Sequence, residues 1–110
     1  MAKNTQARLI KLESMEKYQR LFSKDSGTAG IKAGHVILQP GQSVGAHTTG
    51  EREEVIIVLK GNGEAKVGKD SIFKLEKDVV LYIPPRTDHD VKNNSSVELE
   101  YIFVTADVFN

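Results

Sequence analysis

The segment of residues 41–61, GQSVGAHTTGEREEVIIVLKG, decides the fold. It places a histidine and a run of hydroxyl and charged residues directly before residues 55–59, an apolar stretch of strand length. Because every position of that stretch is apolar, we expect the strand to be buried on both faces. The following GNG at residues 61–63 predicts a hairpin turn, since glycine adopts positive φ without steric cost.

Short apolar runs separated by turn residues continue along the rest of the chain. We expect further strands at residues 7–12, 35–39, 64–67, 72–75, 79–83, 89–92 and 97–105. Residues 13–22 fit either a short helix or a strand. Many short, regularly spaced strands with almost no helical periodicity predict an all-β fold, a sandwich or a closed barrel.

The composition limits the classes of function. From the length of 110 residues, we expect residues 1–110 to form a single domain. Lys and Arg number 15, as do Asp and Glu, so no basic face is available and we expect no nucleic-acid or membrane partner. The chain has no cysteine, which excludes disulfides and thiolate metal sites. No signal-peptide pattern or membrane-length apolar run is visible, and we expect a soluble, cytoplasmic protein.

Two of the three histidines lie where strand alternation can bring them together. Side chains two residues apart share a face of a strand, so His89 points inward if Val91 does. His47 shares a face with Thr49, and Glu54 lies just beyond, at the start of the buried strand. Two imidazoles and a carboxylate are the ligand set of a divalent metal site with open positions.

The spacing alone leaves other interpretations open. The histidines could be surface residues or hydrogen-bonded core residues. Glu51, Glu53 and Glu54 could form no more than a solvated acidic loop, and Glu53 competes with Glu54 as the ligand.

These residues resemble the cupin superfamily. Its first motif runs from a glycine through His-x-His and a glutamate to a second glycine. Gly41, His47, Glu54 and Gly61 fall on that pattern, and Thr49 stands where the second histidine would be.

The second cupin motif matches PPRTDHDVKN, residues 84–93. Pro84, His89 and Asn93 are in register with it. Arg86 replaces a glycine of the motif, and Asp78 stands where the motif would begin with glycine. The two motifs cover about half the chain and are correctly spaced from each other.

The resemblance implies an antiparallel jelly-roll β-barrel, often a homodimer, with a metal at the barrel mouth. The implied ligands are His47, Glu54 and His89, and the implied ion is a divalent transition metal such as iron, manganese, nickel or zinc. Residues 7–12 and 97–105 are expected as exposed ends that could pair across such a dimer.

Thr49 leaves three alternatives, because a hydroxyl is a poor substitute for an imidazole ligand. The three remaining residues could bind the metal alone. His35, on a neighbouring strand, could supply the third nitrogen. The metal could also be lost, leaving a pocket for an organic ligand. Thr49, His35 and Arg86 are the candidate pocket residues, and Arg86 could hold an anionic group of a substrate or could be a solvated turn residue.

Three functions fit this sequence, and it names no catalytic residue. The first is metal-dependent action on a small polar organic molecule, the second a metal-free binding or sensor protein for a sugar-like ligand, and the third a structural barrel. An enzyme needs both metal and pocket, a sensor needs only the pocket, and a structural barrel needs neither.

Overall fold

The computed structural model describes residues 5–13 and 17–108, and these residues form nine strands and one short 3₁₀ turn. The turn is Lys24–Ser26. The strands are β1 Tyr18–Phe22, β2 Ile31–Leu38, β3 His47–Thr48, β4 Arg52–Lys60, β5 Asn62–Val67, β6 Ser71–Glu76, β7 Val80–Ile83, β8 Asp88–Lys92 and β9 Leu99–Asp107. The expected all-β class is confirmed.

The strands form two antiparallel sheets that face each other. The five-stranded sheet has the order β1-β2-β9-β4-β7, and the four-stranded sheet has the order β3-β8-β5-β6. The core lies between them. Its fully buried members come from both sheets and include Leu38, Ile56, Leu75, Ile83 and Leu99. This arrangement is the jelly-roll barrel that the sequence predicts.

The prediction that residues 55–59 are buried on both faces is wrong. Ile56 and Val58 are buried against the second sheet, whereas Val55, Ile57 and Leu59 are only half-buried on the other face. An antiparallel sheet of a two-layer fold has one face on the core, so alternate residues of even an apolar strand point outward.

The strand expected at residues 7–12 does not form. Gln19 holds this segment through its side chain instead, donating from Nε2 to the Lys11 carbonyl and accepting the Glu13 N–H at Oε1. Arg8 lies over the ring of Phe22, 5.3 Å from its centroid, and Leu9 is 92% exposed. The apolar alternation predicts a strand, but residues 7–12 pair with none of the described strands. Of the ambiguous residues 13–22, the structure assigns a strand to Tyr18–Phe22, and residues 14–16 lie outside the described residues.

β9 cannot serve as the expected dimer-pairing end. It lies in the interior of the five-stranded sheet, hydrogen-bonded to β2 on one side and to β4 on the other. Its backbone groups are therefore already used, and a second copy has no free edge to pair with at this strand.

The predicted turn at residues 61–63 joins β4 to β5. Gly61 has φ of +88°, and a Cβ atom there would lie 1.8 Å from the carbonyl oxygen of Glu98. Both the left-handed backbone and the close approach of another segment require glycine at this position. No helix in the described residues is long and apolar enough to cross a membrane.

Candidate metal centre

His47 and His89 face each other across two neighbouring strands. They are direct partners in the β3–β8 ladder, and their ring centroids are 4.2 Å apart with the planes inclined at 60°. His89 is buried together with Val91, two residues further along β8, while Lys92 is exposed. The inward direction predicted for His89 from strand alternation is confirmed.

Backbone carbonyls orient both imidazoles. Nδ1 of His47 lies 2.8 Å from the Gly45 carbonyl oxygen, and Nδ1 of His89 lies 3.1 Å from that of Thr87. A carbonyl only accepts hydrogen bonds, so Nδ1 carries the proton in each neutral ring. Nε2 is then left with a free lone pair, which is the arrangement that metal-binding histidines adopt.

Glu54 completes the cluster from the opposite sheet. Its side chain is buried on the inner face of β4, and Oε1 lies 3.3 Å from Nε2 of His89. One ligand atom from each of His47, Glu54 and His89 lies within 4.8 Å of the other two. Although Glu54 is near, Nε2 of His89 is buried and has no hydrogen-bond partner among the described residues. Such an atom is rare in a folded protein and calls for an explanation.

The pleat of β4 places Glu53 and Glu54 on opposite faces of the sheet. Glu54 points inward, whereas Glu53 points to the outer face and accepts a hydrogen bond from the hydroxyl of Tyr82 at 2.9 Å. Tyr82 is therefore also an outer-face residue, with 53% of its surface exposed.

The electrostatics of the cluster favour positive charge. Burial by itself lowers the pKa of His89, but the neighbouring Glu54 carboxylate and the Thr87 carbonyl outweigh burial, and the pKa is raised from its ordinary value. An environment that stabilises a proton on this imidazole also stabilises a cation bound at Nε2. The proton and a metal ion would compete for the same lone pair.

Thr49 is buried beside the cluster, but its hydroxyl is fully used elsewhere. Oγ1 donates to the Pro84 carbonyl at 2.7 Å and accepts the Thr87 N–H at 3.1 Å. These two bonds tie the loop before β4 to the loop before β8, which carries His89. Thr49 therefore fixes the backbone that presents a candidate ligand.

The other two candidate pocket residues lie outside the cavity. His35 is on the opposite face of β2 from Val36 and Leu38, where it is fully buried and lies 2.6 Å from Glu100. Because its side chain lies on the face of β2 that is turned away from the cavity, His35 does not supply a third nitrogen to the cluster of His47, Glu54 and His89. Arg86 is in the loop after β7 and lies 3.3 Å from a Glu51 carboxylate oxygen, with its side chain largely exposed.

A cavity of about 470 Å³ opens beside the three candidate ligands. Its wall is largely apolar and includes three aromatic residues, Tyr18, Tyr101 and Phe103. Lys17, Lys32 and Arg52 also line it, and sequence reasoning missed all three. Arg52 could have been found, because it lies two residues before Glu54 and shares its face of β4. Lys32 lies on β2 and Lys17 directly before β1, and the sequence does not specify which strands neighbour these two.

Comparison with known proteins agrees with the fold. Residues 34–105 match the family model of the cupin domain. A search of curated proteins finds no match. Among solved structures, an RmlC-like cupin family protein with a double-stranded β-helix fold from Methanocaldococcus jannaschii superposes with a TM-score of 0.79 at 17% identity, covering 92% of this chain and 91% of that one. A Cupin 2 conserved barrel domain protein from Salinispora arenicola gives 0.76 at 22% identity, covering 94% and 92%.

A third solved structure, described as a predicted oxalate decarboxylase from Thermotoga maritima, gives a TM-score of 0.76 at 22% identity and covers 83% of this chain and 79% of that one. Similarity at this level of identity establishes the fold alone. The family match, however, spans well over half of the chain, and this chain belongs to the cupin family.

Proposed function

We propose that this cupin binds a divalent transition metal through His47, Glu54 and His89 and uses it to bind or transform a small polar organic molecule in the adjoining cavity. The observation that carries the proposal is the buried Nε2 of His89, which has no hydrogen-bond partner among the described residues and lies 3.3 Å from Glu54. A metal ion would satisfy this lone pair together with the Nε2 of His47.

The donor set fits the metal. Two neutral imidazoles and one carboxylate with open positions are the ligands of non-haem iron and of catalytic zinc centres. The carbonyls of Gly45 and Thr87 would hold the two rings in the binding tautomer. When bound, such an ion supplies Lewis-acid polarisation or oxygen activation at its open positions.

Other contributions would come from the protein's own residues: charge compensation, exclusion of water and positioning of the loop that carries His89. Glu54 would offset part of the charge of the ion from the opposite sheet. The apolar cavity wall would exclude water and hold the body of the ligand. Thr49 would keep the His89 loop in place through its bonds to Pro84 and Thr87.

Elemental analysis of protein prepared without a histidine tag tests the proposal. We expect near-stoichiometric iron, manganese, nickel or zinc in the wild-type protein, and loss of that metal in both His47→Ala and His89→Ala. His35→Gln is the matched control, because it removes the third histidine of the chain outside the cavity. Circular dichroism of each variant verifies the fold.

Absence of metal after reconstitution with each of the four ions would overturn the metal proposal. The alternative is then a metal-free binding or sensor cupin, which needs the cavity alone. The cavity volume supports that alternative equally, because about 470 Å³ lies within the range of small-molecule sites.

A further inference from the structure

The charges around the cavity are strongly unbalanced. The chain as a whole has no net formal charge. Among the described residues, those lining the cavity include the cations Lys17, Lys32 and Arg52 and a single carboxylate, that of Glu54. A cavity with this excess of positive charge attracts anions and repels cations, and its low-dielectric walls strengthen the effect.

Arg52 is partly neutralised, but the two lysines are not. The Arg52 guanidinium donates to the Thr105 hydroxyl at 3.0 Å and lies 3.4 Å from an Asp107 carboxylate oxygen. The ammonium groups of Lys17 and Lys32 have no acidic partner within ion-pair distance in the part of the chain that the structure describes. They are therefore available to a ligand.

Lys32 lies in line with the metal cluster. Across the sheet, Lys32 on β2 pairs with Thr105 on β9, and Thr105 pairs with Glu54 on β4. Neighbouring strands are about 4.8 Å apart, so the backbone of Lys32 is about 10 Å from that of Glu54. A small organic molecule spans this distance between the lysine and the metal cluster.

An aromatic surface adjoins Lys32 on the same face. The rings of Tyr18 and Phe103 are stacked, with centroids 6.3 Å apart and planes inclined at 14°. They lie over Gly34, where a Cβ atom would be 2.5 Å from Phe103 and 2.7 Å from Tyr18. Glycine at this position of β2 allows the two rings to cover the strand two residues from Lys32.

We infer that the cavity takes an organic anion with a carboxylate and a planar, apolar body. The carboxylate binds Lys32 with support from Lys17, the body lies against Tyr18 and Phe103, and the far end reaches the cluster of His47, Glu54 and His89. This inference rests on the proposed function in one respect only, the contact between the far end of the ligand and the metal cluster. It favours an anion over a neutral, sugar-like ligand, because the described lining carries three cations and one carboxylate.

Titration calorimetry of the purified protein with matched pairs of probes tests the inference. The probes are benzoate with benzamide, phenylacetate with phenylacetamide, and glucose as the neutral sugar. We expect each carboxylate to bind at least about tenfold more tightly than its amide, since a charge-assisted hydrogen bond is roughly twice as strong as a neutral one. Glucose should give no measurable heat.

Variants then locate the binding. Lys32→Met should weaken benzoate binding about tenfold and leave benzamide binding unchanged. Lys66→Met is the matched control, because Lys66 is an exposed lysine of β5 outside the cavity, and it should bind benzoate as the wild type does. Carboxylates that bind no better than amides, or equal losses in the two lysine variants, would overturn the inference.

Metal content, measured on the same preparations, separates the two proposals. Metal without selective carboxylate binding would overturn the anion inference and leave the metal centre standing. Selective carboxylate binding without metal would overturn the metal centre and support the anion site.

Discussion

The side chain of Thr49 is hydrogen-bonded to the backbone N–H of Thr87, 3.1 Å away, and the carbonyl of Thr87 in turn lies 3.1 Å from Nδ1 of His89. Thr49, at the position of a family ligand, is therefore linked to the candidate ligand His89 through one shared peptide segment. The threonine hydroxyl is a donor and an acceptor at once, and its second bond goes to the Pro84 carbonyl.

The first prediction concerns Thr49→Val, which keeps the shape of the side chain and removes both hydrogen bonds. We expect a loss of about 2 kcal/mol in the free energy of unfolding, because a buried N–H and a carbonyl lose their partner. The metal content should persist, since Thr49 is not a ligand. Thr48→Val is the control, because the exposed Thr48 hydroxyl accepts only the Gly50 N–H. Complete loss of metal with an unchanged urea midpoint would identify Thr49 as a ligand and refute this account.

The second prediction concerns two residues that replace family glycines. Asp78 and Arg86 are the non-glycine residues with positive φ among those described, at +75° and +53°. An L-residue in the left-handed region costs about 1–2 kcal/mol. We therefore expect Arg86→Gly to raise the free energy of unfolding by about 1 kcal/mol, and Asp78→Gly to raise it by less, because aspartate tolerates this region better.

Alanine variants control for the lost side chain. Arg86→Ala removes the exposed ion pair with Glu51 but keeps the Cβ atom, so it should give no gain. Thermal unfolding measures the difference, and a gain of about 1 kcal/mol corresponds to a rise of about 4 °C in Tm. Equal Tm values for the glycine and alanine variants would show that the backbone is not strained at residue 86.

Local periodicity predicts the β-rich architecture, and periodicity together with the resemblance to the cupin motifs predicts the three clustered side chains. Alternation in β8 places His89 on the face of Val91, and the spacing within the first motif places Glu54 on the inner face of β4. The two strands meet as predicted because each buries its apolar side in one core.

What the sequence fails to predict depends on contacts between distant segments. His35 has a histidine's metal-binding chemistry, but its side chain points to the outer face, where Glu100 lies 2.6 Å away. Only the register of β2 against β9 reveals this, and register is set by the folded sheet. Lys32 becomes a cavity residue for the same reason, since its place in line with Glu54 requires β9 to lie between β2 and β4.

The third prediction concerns Asn93, a fully buried residue of the second motif. Its Nδ2 donates to the carbonyls of Leu38 and Val97 at 2.8 and 2.7 Å, and its Oδ1 accepts the Ser95 N–H at 3.0 Å. Asn93→Ala leaves the two carbonyls and the Ser95 N–H without this hydrogen-bond partner. We expect it to lower the free energy of unfolding by about 3 kcal/mol. Urea denaturation provides the measurement.

The neighbouring Asn94 offers a matched control. It is exposed and donates to a carboxylate oxygen of Glu64 at 2.8 Å, so Asn94→Ala should change the free energy of unfolding by no more than about 0.5 kcal/mol. Similar costs for the two variants would contradict the structural importance assigned to Asn93.

The fourth prediction concerns acid stability. The hydrogen bond from Lys24 holds the pKa of Asp107 below its ordinary value, with a smaller contribution from the charge of Arg52. A lowered pKa means that Asp107 stabilises the fold above the pKa of an unfolded aspartate, about 3.9, and that this stabilisation is lost as the pH falls through the folded value. We expect the urea midpoint of the wild type to fall more between pH 6 and pH 3 than that of Asp107→Asn. Asp70→Asn, at an exposed turn between β5 and β6, should follow the wild type, and an identical fall in all three proteins would exclude this contribution.

The homodimer expected from the family stays a prediction, and the outer face of the five-stranded sheet is where we expect a second copy to pack. Val80 and Tyr82 of β7 lie on this face and are 65% and 53% exposed. They are the neighbours of Ile57 and Val55 of β4. Ile102 and Val104 of β9 continue the apolar surface on the other side of β4. A two-fold axis through such a surface would bury it against its own copy.

Sedimentation velocity over a concentration series tests this arrangement. The wild type should sediment as a dimer, and Val80→Lys should shift it to monomer, because a two-fold interface would contain two copies of the new charge. Ile72→Lys is the matched control, since Ile72 is 64% exposed on β6 of the other sheet. A monomeric wild type would refute the dimer. A dimer that survives Val80→Lys but dissociates with Ile72→Lys would place the interface on the four-stranded sheet instead.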